Sequence, residues 1–310
     1  MLGVALGPRD TNAALADYEA LADRADIIEL RLDRMDDYDL KALVTERPLP
    51  LVVTNRPVRE GGRYEGDEMR RVAVLLQALD LGAEYIDIEL DAVRFVPESH
   101  RHRVVVSHHD FARMPPELDR TTRDLTASGM GIVKIVGMAR SPEDSLAVLR
   151  LFERLTAPTI GIAMGPHGLI SRVLALRYDN CFLTYGTAVA GEEVAPGQIA
   201  LSTLTDVYRA REIGAGTAAF GIVLDQTDDD LLADLNSILR QRGADAVAVP
   251  VARREALPAT LAAFAEFGFE GLWDVANGTV RGGEDLESEK TVEGVEQVAE
   301  RWAGLLLERS

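Results

Sequence analysis

Lys134 lies in the apolar run Gly131-Ile-Val-Lys-Ile-Val-Gly-Met138 and is one of three lysines, with Lys41 and Lys290, among 33 basic residues. Arginine supplies nearly every fixed positive charge in this chain, so a lysine kept in an apolar segment calls for chemistry that arginine cannot perform. An apolar setting disfavours the charged form of an amine. A neutral amine attacks a carbonyl carbon and forms an imine, whereas a guanidinium stays protonated. The other reading of a lone strand lysine is one that snorkels or pairs with a carboxylate. His109, in Ser107-His-His-Asp-Phe111, carries a side chain that moves protons near neutral pH. Its alternatives are a structural histidine bonded to backbone or half of a metal pair with His108. Sequence neighbours on a strand face opposite ways, which makes them poor joint ligands.

Further positions suit a polar substrate. Glu29 and Arg31 stand two apart, which on a strand puts both on one face. Arg56 follows the run Leu51–Thr54, and Arg172 ends Gly165-Pro-His-Gly-Leu-Ile-Ser-Arg172, where glycine permits a tight loop. The planar guanidinium fork fits a carboxylate or several hydroxyls, although each of these arginines could equally form a surface ion pair. His100 and His102 read as part of a solvated turn, and no spacing reads as a metal site.

Such residues need a scaffold that gathers strand ends. Eight short apolar runs recur: Leu2–Leu6, Ile27–Leu32, Leu51–Thr54, Tyr85–Leu90, Val104–Ser107, Ile132–Val136, Thr159–Met164 and Phe182–Tyr185. Most are separated by helical periodicity, as in Met69–Leu81 and Ser141–Leu155. Their near-continuous apolar character predicts parallel strands covered on both faces. Eight such strands alternating with helices predict an α/β fold, a (β/α)8 TIM barrel over residues 1–212, with a doubly wound open sheet as the alternative. In a barrel the C-terminal strand ends build the active site, which is where Glu29, Arg31, Thr54 to Arg56, His108 to Asp110 and Lys134 stand. After the small-residue junction Ile213–Thr217 the pattern changes. Strands at Phe220–Leu224, Ala246–Val251 and Gly271–Val275, with helices at Leu231–Arg242, Leu257–Phe267 and Val292–Leu307, predict a smaller α/β domain over residues 217–310.

The 310 residues are 47% hydrophobic, enough for a packed core and against general disorder. No apolar run reaches the ~20 residues of a membrane span. The start, Met1 to Asn12, has no basic n-region and no cleavage pattern, so no secretory signal and a cytoplasmic location are expected. Cys181 is the single cysteine, which excludes an internal disulfide. A net charge of −18 argues against nucleic-acid binding and repels an anionic substrate unless arginines cluster locally. Residues 213–310 hold 18 acidic and 8 basic side chains, a net −10. A high-salt cytoplasm and an arginine-favouring genome account for the acidic, lysine-poor composition equally well.

In chain order the motifs are Glu29-Leu-Arg31, Thr54-Asn-Arg56-Pro-Val-Arg-Glu60-Gly-Gly, Ser107-His-His109-Asp-Phe, Val133-Lys134-Ile, Gly168-Leu-Ile-Ser-Arg172 and Ala195-Pro-Gly-Gln198-Ile. Together they resemble type I 3-dehydroquinate dehydratase, over roughly residues 1–210. The resemblance implies a Schiff-base hydro-lyase of the shikimate pathway, without cofactor or metal, that converts 3-dehydroquinate into 3-dehydroshikimate. It implies that Lys134 forms an imine with the C3 ketone. His109 then removes a C2 proton, helps expel the C1 hydroxyl as water, and shuttles protons as the imine forms and hydrolyses. Glu60 orients and polarises His109; Glu29, Arg31 and Arg56 hold ring hydroxyls; Arg172 and Gln198 hold the carboxylate. Ala190–Gly197 is implied as a lid. Relatives of this kind are often dimers, so a homodimer is expected, with neither nucleic acid nor membrane as partner.

Some positions depart from that pattern. Val194 stands where many relatives carry a small hydroxyl residue, and Tyr185 where phenylalanine is frequent. The first strand starts almost at Met1, without the hairpin that closes the barrel bottom in some relatives. In the second part, Gly221-Ile-Val, Leu235-Asn-Ser-Ile-Leu-Arg, Ala246-Val-Ala-Val-Pro-Val and Phe264-Ala-Glu-Phe-Gly-Phe-Glu-Gly resemble the substrate-binding half of shikimate dehydrogenase. There the expected serine pair is replaced by Leu224-Asp-Gln-Thr-Asp, and the expected Thr-x-Pro-x-Lys by Asp274-Val-Ala-Asn-Gly. The catalytic lysine is therefore missing, and Gly214-Ala-Gly216 follows no strand, so it is no dinucleotide fingerprint. A packing or oligomerisation role is expected ahead of ligand sensing, and no dehydrogenase activity. Two other readings of the whole chain stand beside the leading one. The first is a metal-dependent barrel lyase or isomerase using His109 with Asp87 and Glu89. The second is a pathway-binding protein without turnover, against which the set Glu60, His109 and Lys134 argues.

Overall fold

A computed structural model describes residues 1–188, 196–253, 257–282, 290–292 and 294–307. Its first eight strands are β1 (Leu2–Leu6), β2 (Ile27–Arg31), β3 (Leu51–Thr54), β4 (Tyr85–Glu89), β5 (Val104–Asp110), β6 (Ile132–Met138), β7 (Thr159–Met164) and β8 (Thr184–Gly186). They pair in the order β7-β6-β5-β4-β3-β2-β1-β8, and every pairing is parallel. At the seam, Thr159 bridges Cys181, and the Phe182 N–H donates to the Thr159 carbonyl at 2.9 Å. The result is the predicted barrel, nearly closed. Its outer helices are α1 (Thr11–Leu21), α2 (Leu40–Thr45), α3 (Glu68–Leu81), α4 (Leu118–Ala127), α5 (Pro142–Arg154) and α6 (Leu169–Leu174). Local chemistry sets their ends. Asp67 accepts the Arg70 N–H at the start of α3, and Gly82 ends it at φ 112°, a left-handed cap that suits glycine. Pro142 opens α5, where Asp144 accepts the Ser141 N–H.

Strand alternation sorts the inward side chains into levels. Ile27, Val52, Val105, Ile132, Ile160 and Leu183 belong to an apolar cluster inside the barrel. Two residues further along β2, β3, β5 and β6, the same inward faces carry Glu29, Thr54, Ser107 and Lys134. On β4, Asp87 and Glu89 follow Tyr85 in the same way. An apolar plug therefore underlies a charged level. The strand expected at Val104–Ser107 runs on to Asp110, so His109 lies on β5 rather than past it.

Beyond the barrel, β9 (Ala218–Leu224), β10 (Ala246–Ala252), β11 (Phe269–Asp274), β12 (Thr279–Gly282) and β13 (Lys290–Thr291) form a sheet ordered β10-β9-β11-β12-β13. The first three are parallel and the rest antiparallel. β12 and β13 are short and carry little apolar pattern, and no strand was expected there. Around the sheet lie α7 (Asp229–Gln241), α8 (Leu257–Phe267) and α9 (Val295–Leu307). Trp302 stacks on Phe220 with ring centroids 4.3 Å apart. Asn236 bonds both backbone polar groups of Ala248, satisfying buried groups on the edge strand β10 that no neighbouring strand pairs. β10 packs on α6 and α8 on α5. The buried apolar residues of this unit and of the barrel's outer face form one continuous cluster. Among the described residues, no helix is long and apolar enough to cross a membrane.

Candidate active site

The charged level opens into a cavity of about 500 Å³. All eight residues singled out from the sequence line it: Glu29, Arg31, Arg56 and Glu60 from the first half of the barrel, and His109, Lys134, Arg172 and Gln198 from the second. Lys134 is 4% exposed. Its Nζ donates to Glu29 Oε2 at 3.0 Å and to Asp87 Oδ2 at 2.9 Å, and lies 3.5 Å from the Tyr185 hydroxyl. The apolar flanks suggested an amine against apolar walls. Two buried carboxylates surround it instead, because the flanking residues point outward and their strand neighbours supply the inner face.

Those carboxylates are tied to further cations. Arg56 NH2 lies 2.8 Å from Asp87 Oδ1, and its NH1 bonds Glu89 and donates to Ser107 Oγ at 2.7 Å. Arg71, buried on α3, bonds Glu89 and donates to the Asn55 carbonyl at 2.8 Å. Burial opposes ionisation of Asp87, but Arg56 and Lys134 outweigh it and hold the carboxyl far below the usual range. Burial likewise opposes ionisation of Glu29, and Lys134 reverses the sign. Thr54 Oγ1 donates to the other Glu29 oxygen at 2.7 Å. Arg31 grips Asp33 through two contacts of 2.8 Å, and Asp33 also accepts the backbone N–H groups of Arg56 and Arg63 at 3.1 Å. Arg31 and Arg56 thus face the cavity with much of their hydrogen-bonding capacity already engaged.

Glu60 reaches His109 from a short turn after β3. Its Oε2 lies 3.0 Å from His109 Nδ1 and accepts the His109 backbone N–H at 3.1 Å. That turn depends on glycine. Gly61 sits at φ 76°, and a Cβ on Gly62 would fall 1.9 Å from the Arg56 carbonyl oxygen. Burial pushes the Glu60 carboxyl up to about 8, with Arg56 opposing and Glu89 and Asp87 adding to the rise. Burial, reinforced by the Arg56 and Lys134 charges, holds the His109 imidazolium well below its usual value. Both shifts therefore work against an ionised Glu60–His109 pair. His108 points away from the barrel axis, yet its Nδ1 lies 3.8 Å from the second Glu60 oxygen.

Arg172 is 1% exposed on α6, and its NH2 donates to the Pro196 carbonyl at 3.4 Å. Gly165 N–H donates to the same carbonyl, and a Cβ on Gly197 would fall 2.6 Å from the Gly165 oxygen. Two glycines thus let the chain at 196–197 close on the loop after β7. Of the expected lid, Ala190–Ala195 lie outside the described residues, Val194 included.

Sequence reasoning did not assign Ser107, Arg71 or Asp33 to the site, and it placed Asp87 and Glu89 only in the metal-dependent alternative. The period-two spacing of Asp87 and Glu89 behind Tyr85 could have found them. Arg71 carried no such mark, being one arginine of many on a helix. Among the described residues no group of three or more His, Cys, Asp or Glu side chains is arranged to hold a metal. Asp87 and Glu89 turn to Lys134, Arg56 and Arg71.

A family model described as type I 3-dehydroquinase matches residues 3–215. Over 211 residues the chain is 38% identical to the bifunctional 3-dehydroquinate dehydratase/shikimate dehydrogenase, chloroplastic, of Arabidopsis thaliana, a match covering 64% of this chain and 35% of that protein. It is 35% identical over 187 residues to the 3-dehydroquinate dehydratase of Methanopyrus kandleri, covering 58% of this chain and 85% of the relative. Among solved structures, type I 3-dehydroquinate dehydratase of Clostridium difficile, solved with covalently modified comenic acid, matches with a TM-score of 0.56 at 24% identity, covering 66% of this chain and 88% of that one. The dehydroquinate dehydratase and shikimate dehydrogenase of S. pombe matches with a TM-score of 0.54 at 19% identity, covering 87% of this chain and 56% of that one. At these identities the two structural likenesses are of fold.

Proposed function

The chain belongs to the type I 3-dehydroquinase family, and from that premise we propose how its own residues dehydrate 3-dehydroquinate to 3-dehydroshikimate. The observation that carries the reading is a lysine amine at the floor of a cavity also lined by a bonded His–Glu pair. Lys134 Nζ, after losing a proton, adds to the C3 ketone, and loss of water leaves a protonated imine. The imine draws electrons from the adjacent carbon. His109 removes the C2 proton, the C2–C3 enamine forms, and its return expels the C1 hydroxyl. That group leaves as water with a proton from His109. Water then hydrolyses the imine, releasing the product and Lys134. Glu60 holds the His109 ring in one orientation. Glu29, Arg31 and Arg56 face the ring hydroxyls, and Arg172 with Gln198 takes the carboxylate. Arg172 gives the local attraction that a chain of charge −18 otherwise denies an anion, and Gln198 adds an amide donor.

For residues 217–310 the reading is a degenerate counterpart of the substrate-binding half of shikimate dehydrogenase, without dehydrogenase activity. The Arg253–Asp274 ion pair supports it, because it occupies the strand end where the missing lysine motif would begin. A cytoplasmic location and a homodimer are the accompanying expectations, and sedimentation of the purified protein checks the second. The decisive experiment for the barrel is borohydride reduction with 3-dehydroquinate followed by peptide mass mapping. An adduct on Lys134 is expected, and its absence sinks the imine mechanism.

A further inference from the structure

Tyr185 has no part in the sequence of steps above, yet its hydroxyl is the third polar group around Lys134 Nζ, at 3.5 Å. It is 3% exposed and lines the cavity. Its ring centroid lies 5.0 Å from Nζ. The ring is seated beside Gly3, where an added Cβ would come within 3.3 Å of two ring carbons. The hydroxyl donates to Glu29, so in the resting site its proton points at that carboxylate.

The stoichiometry of imine formation makes that position matter. An ammonium carries three N–H bonds and a protonated imine carries one. The departing water takes the ketone oxygen and two protons, so the two protons lost by Nζ balance the two gained by oxygen. Those protons must travel from nitrogen to an oxygen that becomes bonded to the same carbon. Glu29 Oε2 and Asp87 Oδ2 hold two of the three N–H directions. The weakest of the three contacts, toward Tyr185, is the one that opens most easily into a lone pair for attack. A ketone approaching along it brings the C3 oxygen beside the phenol.

We propose, resting on the Schiff-base reading above, that Tyr185 is a catalytic residue for imine formation and relays protons from Lys134 Nζ to the C3 oxygen. The O–H turns from Glu29 to the arriving C3 oxygen and passes its proton there as the phenol oxygen accepts an N–H proton, so the phenol is neutral before and after. Burial and the neighbouring Glu29 charge hold the phenol well above its usual value, which suits a relay that never rests as phenolate. The phenol shares the proton shuttling of imine formation with His109, which alone takes the C2 proton.

The test is rapid-quench borohydride trapping with 3-dehydroquinate, comparing the wild-type protein with Tyr185→Phe, which removes one oxygen and leaves the ring seated. The variant should trap the Lys134 adduct about 10-fold more slowly, as for one lost hydrogen-bonding partner in a step that His109 still assists. With substrate deuterated at C2, its isotope effect on kcat should fall toward unity, because imine formation then limits turnover. A merely structural role would slow turnover with the isotope effect unchanged, and that result overturns the proposal, as does an unaltered trapping rate. In the wild-type protein the trapping rate in mixed light and heavy water should curve with deuterium content, reporting more than one proton in flight; a straight line overturns the relay without any variant. Failure of the wild-type protein to form an adduct would instead overturn the Schiff-base reading beneath it.

Discussion

One level above the barrel's apolar plug, Lys134 of β6 sits between Glu29 of β2 and Asp87 of β4 with a cavity in front of it. At the ends of β9, β10 and β11, Arg253 sits between Asp225 and Asp274: its NH1 lies 3.0 Å from Asp274 Oδ2 and its Nε 2.8 Å from Asp225 Oδ1. Asn277 adds a 2.8 Å bond to Asp274. Both places set one cation between two carboxylates carried by other parallel strands of the same sheet or by the residues just past them. In the barrel the cation is a primary amine, and opening one contact exposes a nucleophile. In the C-terminal unit it is a guanidinium whose fork is matched by the carboxylate of Asp274, with no lone pair to offer. The arrangement alone does not make a site; the identity of the cation and the space before it do.

The largest effects should come from exchanging the barrel's cation. Lys134→Arg keeps the charge and removes the nucleophile, so turnover should fall at least ~10⁴-fold with no borohydride adduct. Lys134→Ala should lose activity equally and also lose stability, by about 3–5 kcal/mol, because it strands Glu29 and Asp87 without their shared partner. Denaturant melts of the two variants separate these losses. An active Lys134→Arg protein would erase the contrast with Arg253. Next in size, His109→Ala should slow turnover by about 10²–10⁴-fold while the Lys134 adduct still forms. That outcome, read by mass, divides imine formation from C2 proton removal.

How much of this was legible depended on rarity and period. Lys134 stood out because the chain spends so few lysines, and the strands were readable from unbroken apolar runs such as Thr159–Met164. The weight of the floor was hidden. Asp87 and Glu89 showed the correct spacing, and a (β/α)8 barrel already puts β4 between β3 and β5, but the sequence does not say that Arg56 and Ser107 turn their side chains to them. Strand β13 pairs for only two residues, too few for a pattern. The C-terminal unit read as a separate domain because its faces are amphipathic in their own right. That one of those faces packs on α6, the helix carrying Arg172, is a tertiary fact with no local mark.

The pH response distinguishes the two regions at intermediate size. Glu60 is lifted to about 8 beside His109, whereas Asp274 is lowered, burial being outweighed by its bonds to Arg253 and Asn277. Below that value the dyad holds an extra proton, Glu60 donates to Nδ1, and the remaining imidazole proton blocks Nε2. Loss of one proton lets Glu60 accept from Nδ1–H and frees Nε2 as a base. The value of kcat/KM should therefore rise with pH through an apparent pKa near 8, which belongs to the pair. Glu60→Gln should lose that limb and about 10²-fold of activity. The same raised value means that the folded state binds more protons than the unfolded one between the usual 4.5 and about 8. Glu60 thus withdraws stability as pH climbs through that window, and Glu60→Gln should flatten the thermal midpoint across it. A limb that survives in Glu60→Gln assigns it elsewhere. Smaller still, Arg172→Ala should raise KM about 10- to 100-fold with kcat less affected, as for a lost charged contact to the substrate carboxylate.

The smallest effect belongs to the C-terminal cation. Arg253→Gln keeps a polar side chain but breaks the fork against Asp274. Asp225 is mostly exposed, so solvent screens that contact, and the loss should come from the Asp274 pair at about 1 kcal/mol. The pair touches neither Lys134 nor the cavity lining, so kcat and KM should stay within about twofold of the parent. Introducing a lysine by Arg253→Lys supplies a primary amine between the same two carboxylates. If the amine alone sufficed, borohydride and 3-dehydroquinate would label position 253. No label is expected there, because no histidine–glutamate pair stands beside it among the described residues. A label at 253 would show that the barrel's advantage lies in the amine rather than in its surroundings.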